Sequence, residues 1–81
     1  MDIGEFIEIF RSSFDELEEE LSPSTKFKEL SSWTSMQALL LIAEIDDELN
    51  FVLSADDIKN SQTIEDLFLI VNSWNGLISN R

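Results

Sequence analysis

Ile3, Phe6, Ile7, Phe10, Phe14, Leu17 and Leu21 recur at i, i+3, i+4 and i+7 intervals, with Glu and Asp between them. That period predicts an amphipathic helix from about Asp2 to Glu20. The segment SPSTK at 22–26 interrupts it, because Pro23 disfavours helix in the residue before it. Residues 22–33 are expected to form a loop, with Phe27 and Leu30 tucked under the helices. Such a loop is long for a helical bundle, and long ordered loops often carry function.

Three further helix starts follow. Thr34-Ser35-Met36-Gln37 has the form of a capping box, with Thr34 as N-cap and Gln37 as the reciprocal residue, so a second helix should run to about Leu49 or Asn50. Ser54-Ala55-Asp56-Asp57 opens a short helix that should end near Asn60. Thr63-Ile64-Glu65-Asp66 opens the last, whose stripe is Ile64, Leu67, Phe68, Val71 and Trp74. In both later starts aspartate replaces the usual Glu or Gln, which makes the boxes imperfect. The expected fold is all-α: one domain over residues 1–81, a four-helix bundle with three longer helices, a short third helix and a long first loop.

The second helix has two apolar faces. Ala38, Ile42, Ile45 and Leu49 share an arc flanked by Leu41 and should face the core. Met36, Leu40 and Ala43 lie nearly opposite, with Leu39 to one side and Glu44 and Asp47 at the border. A thin bundle cannot bury both faces of one helix. Met36, Leu39, Leu40 and Ala43 are therefore expected at the surface, as an apolar docking patch rimmed with acid.

Composition narrows the chemistry. Eighty-one residues bury only about 60–65% of the unfolded chain's surface, and there is no cysteine to staple the core. With no histidine, cysteine or tyrosine, histidine-activated serine and cysteine nucleophiles are excluded. Gly4 and Gly76 stand too far apart for a phosphate-binding loop. An autonomous enzyme is not expected. Seventeen acids against five bases, a net charge of −12, argue against nucleic acid and membrane surfaces and favour basic protein partners. A calcium loop would need alternating acids with a central glycine, which no acidic run supplies. Acids where a signal peptide needs bases, and no apolar run of membrane length, lead to the expectation of a cytoplasmic protein, and the acidic surface to that of a monomer.

Ser35 stands out. With Thr34 as the cap, Ser35 occupies the first helical position and its hydroxyl is free to face solvent. A phosphate there would meet free N–H groups at the positive end of the helix dipole.

At these residues the chain resembles the acyl carrier protein family, over nearly its whole length. The family's Asp-Ser-Leu at the start of its second helix corresponds to Thr34-Ser35-Met36, followed by QALLLIAEIDDELNFVLSADDI. TIEDLFLIV at 63–71 resembles the family's fourth helix. The resemblance implies 4'-phosphopantetheine attached to Ser35 by a pantetheinyl transferase. Acyl groups would be carried as thioesters and presented to acyl-loading and acyl-processing enzymes of a fatty acid, polyketide or related pathway. It further implies that Glu44, Asp46, Asp47, Glu48, Asp56 and Asp57 meet basic patches on those enzymes. The acids at 15–20 are expected to be solvated surface only. Two departures stand out: Met36 for leucine is nearly volume-conserving, whereas Thr34 for aspartate removes a charge beside the serine. An aminoacyl or peptidyl carrier, and an unmodified interaction module, remain alternatives.

Overall fold

A computed structural model describes residues 2–15 and 17–79, with side chains described up to residue 72. It contains α1 (Ile3–Ser12), a 3-10 turn (Phe27–Glu29), α2 (Ser35–Leu49), α3 (Ala55–Lys59) and α4 (Ile64–Ser79). Among the described residues there are four α-helices and no strand, as expected. No described helix is long and apolar enough to cross a membrane.

α1 packs on α2 and α4, and α3 leans mainly on α4. Phe6, Phe10, Leu41, Ile45, Ile64, Leu67 and Val71 are fully buried between the helices, as is Phe27 from the loop. The apolar stripe of α4 is borne out through Ile64, Leu67 and Val71, with Phe68 partly buried against Phe6 at a ring separation of 5.7 Å. The side chain of Trp74, assigned to that stripe, lies outside the described residues.

The first helix ends at Ser12, well before the expected Glu20. Two consecutive serines stop it. Ser12 Oγ donates to the Ile9 carbonyl at 2.8 Å and Ser13 Oγ to the Phe10 carbonyl at 2.7 Å, occupying acceptors that the next turn would need. The acidic run that follows would also oppose the negative end of the helix dipole. Phe14 and Leu17 keep apolar contacts without being helical, Phe14 stacking on Phe10 at 5.5 Å.

The loop is consequently longer than 22–33, and it is stitched to three helices. Phe27 inserts between Phe10 (5.8 Å) and Trp33 (5.1 Å), both edge-on. Lys28 Nζ donates to the Ile58 and Lys59 carbonyls at 3.2 and 3.0 Å, satisfying the C-terminal end of α3. The Thr25 and Pro23 carbonyls accept from the Ile64 and Glu65 N–H groups at 3.1 and 2.9 Å, sealing the start of α4.

Aspartate closes both later capping boxes after all. Ser54 and Asp57 exchange two bonds at 3.0 and 3.1 Å. Thr63 Oγ1 accepts from the Asp66 N–H at 3.2 Å, while Asp66 Oδ2 accepts from the Gln62 and Thr63 N–H groups at 2.9 and 3.1 Å. The Gln62 bond first, then that of Thr63, holds the Asp66 carboxyl below the ordinary carboxylate range. A lowered folded pKa means stability that is present above the unfolded value of about 3.9 and lost as pH falls through the folded one. Asp66→Asn should be less stable than the wild type at pH 7. The gap should close below about pH 4, as measured by denaturant titration of both chains across pH.

Candidate functional site

The stretch before α2 is held rigidly. Trp33 packs edge-on against buried Phe27, and its backbone N–H donates to the Leu30 carbonyl at 3.0 Å. Thr34 follows in extended conformation and is the N-cap: its Oγ1 accepts from the Gln37 N–H at 3.1 Å, and its carbonyl from the Ala38 N–H at 3.1 Å. Ser35 is the first helical residue and is exposed, and its hydroxyl has no hydrogen-bond partner among the described residues.

The start of α2 differs electrostatically from the other three. α1 has Glu5 in its first turn, α3 has Asp56 and Asp57, and α4 has Glu65 and Asp66, whereas α2 has no acid there. In a chain of net charge −12, the one helix dipole left without an acid points its positive end at Ser35. The Ser35 and Met36 N–H groups have no protein partner among the described residues, so the turn is open to an anion.

Gln37 does not close the capping box expected of it. Its side chain is buried, 7% exposed, and Nε2 donates to the Ser13 carbonyl and Oγ at 3.0 and 3.1 Å. Pulling Gln37 inward also rotates the buried arc of α2. Leu41 and Ile45 are fully buried, while Ala38, Ile42 and Leu49, expected in the core, are only partly so.

Ala38 and Ile42 instead line a cleft. With Ser35, Leu39, Ala55 and Ile58 they enclose about 280 Å³ between α2 and α3, walled almost wholly by apolar atoms. Sequence reasoning missed this cleft because it treated every apolar position opposite the solvent face as core. A signal existed in the small residues Ala38 and Ala55, and in a third helix too short to cover α2.

The outward face is as expected. Met36, Leu39 and Leu40 are 64, 61 and 45% exposed, and Ala43, Asp46, Asp47 and Glu48 are exposed too. Leu39 turns towards the cleft, which separates it from the other three apolar residues. Two acids are already engaged. Glu44 Oε2 lies 2.8 Å from Ser12 Oγ, whose single hydrogen it shares with the Ile9 carbonyl, and the Asp57 carboxylate accepts from the Ser54 N–H, whereas Asp56 stays exposed.

Thr34→Ala should cost about 0.5–2 kcal/mol through loss of the cap, and Thr34→Asp should be neutral or stabilising by about 0.3–1 kcal/mol, because it supplies the missing acid. Chemical denaturation of the three chains tests both. An alanine variant as stable as the wild type would mean that Thr34 is not the cap.

A family model described as phosphopantetheine attachment site matches residues 5–68. A search of the curated proteins and of the solved structures finds no match.

Proposed function

The chain belongs to the phosphopantetheine attachment-site family, and from that premise we propose that it is an acyl carrier protein, with the 4'-phosphopantetheine arm attached to Ser35. When bound, the arm supplies the thiol that a chain without cysteine lacks. The residues present suit that group. Ser35 offers an exposed, unpartnered hydroxyl, and the first turn of α2 offers free N–H groups to a phosphodiester with no acid to repel it. The domain, residues 1–81, holds and presents cargo and leaves catalysis to its partners. We assign it to the cytoplasm as a monomer.

The apolar cleft carries the choice of cargo. It opens beside Ser35 and offers Ala38, Leu39, Ile42, Ala55 and Ile58 as its lining, with little to satisfy an ammonium group. An acyl chain entering it would gain about 0.8 kcal/mol per buried methylene. An aminoacyl group would gain almost nothing there and would have to desolvate a charge.

Met36, Leu40 and Ala43, rimmed by Asp47, Asp46, Glu48 and Asp56, form the surface presented to the transferase and to acyl-processing enzymes with basic patches. Exposed ion pairs are weak, about 0–1 kcal/mol each, which suits successive short encounters. Asp57 and Glu44 contribute charge but are tied to Ser54 and Ser12.

Incubation with a pantetheinyl transferase and coenzyme A should add one phosphopantetheinyl group by intact mass, and none to Ser35→Ala. No gain with several unrelated transferases would favour an unmodified interaction module, a reading that Thr34 in place of aspartate supports. Chains loaded from acyl-coenzyme A of increasing length should then melt at rising temperatures until the cleft is full. Equal midpoints for octanoyl and alanyl forms would sink the acyl reading in favour of an aminoacyl carrier.

The docking surface has its own test. Asp47→Lys with Asp46→Lys leaves every described hydrogen bond in place and should raise the transferase KM about two- to fivefold at low salt, converging with wild type as salt is added. An unchanged KM would reduce these acids to solvated surface.

A further inference from the structure

Gln37 is a polar residue spent in an unexpected place. It follows Ser35 by two residues, and its amide could close the cap of its own helix. Instead both Nε2 hydrogens reach across to Ser13, the C-cap of α1, one to the carbonyl at 3.0 Å and one to Oγ at 3.1 Å. Ser13 Oγ passes its own hydrogen to the Phe10 carbonyl at 2.7 Å, so the bonds form a chain: Gln37 amide, Ser13 hydroxyl, Phe10 carbonyl. Phe10 is fully buried and touches Phe27, the ring that also carries Trp33. The first turn of α2 is therefore fastened from two sides. Trp33 holds the chain entering it, and Gln37 holds the turn itself. A second link between the same helices, Ser12 Oγ to Glu44, lies two turns further along α2 and does not bear on that first turn.

We infer that Gln37 is a positioning residue for the modification of Ser35: anchored to the end of α1, it keeps the first turn of α2 wound so that the Ser35 hydroxyl holds a set direction relative to the docking face downstream. This rests on the assignment of Ser35 as the attachment residue. The reason is geometric. An enzyme that docks on Leu40, Ala43 and Asp47 meets a rigid part of α2, whereas Ser35 sits in the turn most prone to fray. The turn's own cap is a single neutral bond to Thr34, with no reciprocal arm and no acid to favour the dipole. What keeps Ser35 in register with the docking face is then the contact that Gln37 makes outside its own helix. Loss of that contact should leave the enzyme bound and the serine misplaced, a defect of turnover and not of affinity.

The test uses the full chain, coenzyme A and a pantetheinyl transferase. Gln37→Leu puts an apolar side chain of similar size at this buried position and removes the donors. Its kcat for loading should fall about fivefold with KM within about twofold of wild type, the size expected when one or two ordinary hydrogen bonds no longer hold the reactive geometry. Amide hydrogen exchange at Gln37 and Ala38, whose N–H groups bond to Thr34, should quicken while that at Ile45 stays unchanged. Ser13→Ala removes one of the two acceptors and should show the same split at about twofold, which decides the matter should Gln37→Leu fail to fold. Ser12→Ala, which loosens α1 from α2 beyond the first turn, should keep the wild-type kcat. An unchanged kcat in a folded Gln37→Leu or Ser13→Ala chain would overturn the inference, as would an equal fall in Ser12→Ala. Absence of loading in the wild type itself would instead overturn the assignment of Ser35.

Discussion

A bundle of four helices, one of them only five residues long, leaves a side open, and the ring of Phe27 closes it. Nearly everything else in the structure depends on that insertion. Phe10 and Trp33 pack against its edges, so the same ring joins α1 to the residue before the cap of α2. Once Phe27 is seated, Lys28 falls on the end of α3, and the chain just before it brings the Pro23 and Thr25 carbonyls to the start of α4. Burial of an aromatic side chain supplies the energy, and the flanking polar groups convert it into position. The loop is thus a fourth wall of the fold, and the place where Ser35 emerges is set by it.

Around this frame the four helix starts are treated unequally. Three carry an acid in the first turn, and those acids close capping boxes at α1 and α3 and the equivalent pair of bonds at α4. The fourth, at α2, has Thr34 alone. In so acidic a chain this is a place of positive potential kept free of negative charge, directly beneath an exposed hydroxyl. The same Thr34 that departs from the resembled family's aspartate is what leaves the dipole uncompensated. A phosphate group would supply the charge that the protein withholds.

The apolar surface of α2 is divided by what stands opposite it. Leu41 and Ile45 meet α1 and the core and disappear. Ala38 and Ile42 meet α3, which packs on α4 and covers them incompletely, so a cleft remains. Met36, Leu40 and Ala43 face solvent. One helix therefore has a core face, a cleft face and an exposed apolar face, the three arranged around its axis with Ser35 at its end.

Much of this was legible from residues alone. Period 3.6 runs identify α2, α3 and α4 with their caps, because local hydrogen bonds from Thr34, Ser54 and Thr63 act within a single turn and need no partner elsewhere. The exposure of Met36, Leu39, Leu40 and Ala43 followed from the angular spread of apolar residues on one helix, and Phe27 had to be buried wherever the loop ran. Other features depended on groups far apart in sequence. The apolar period continues past Ser12, but the serine hydroxyls turn back on their own helix and end it, and Arg11 and Phe14 then find loop and core partners. Gln37 has the right identity for a capping box, yet Ser13, 24 residues away, is a nearer use for its amide. The cleft exists because α3 packs mainly on α4 and covers α2 incompletely. Helix and cap arise from neighbours in the chain, and those the sequence by itself determined. Where a helix stops when its pattern continues, which partner a buried amide takes, and which apolar face stays uncovered are decided by competition between distant groups, and only the tertiary structure resolves that competition.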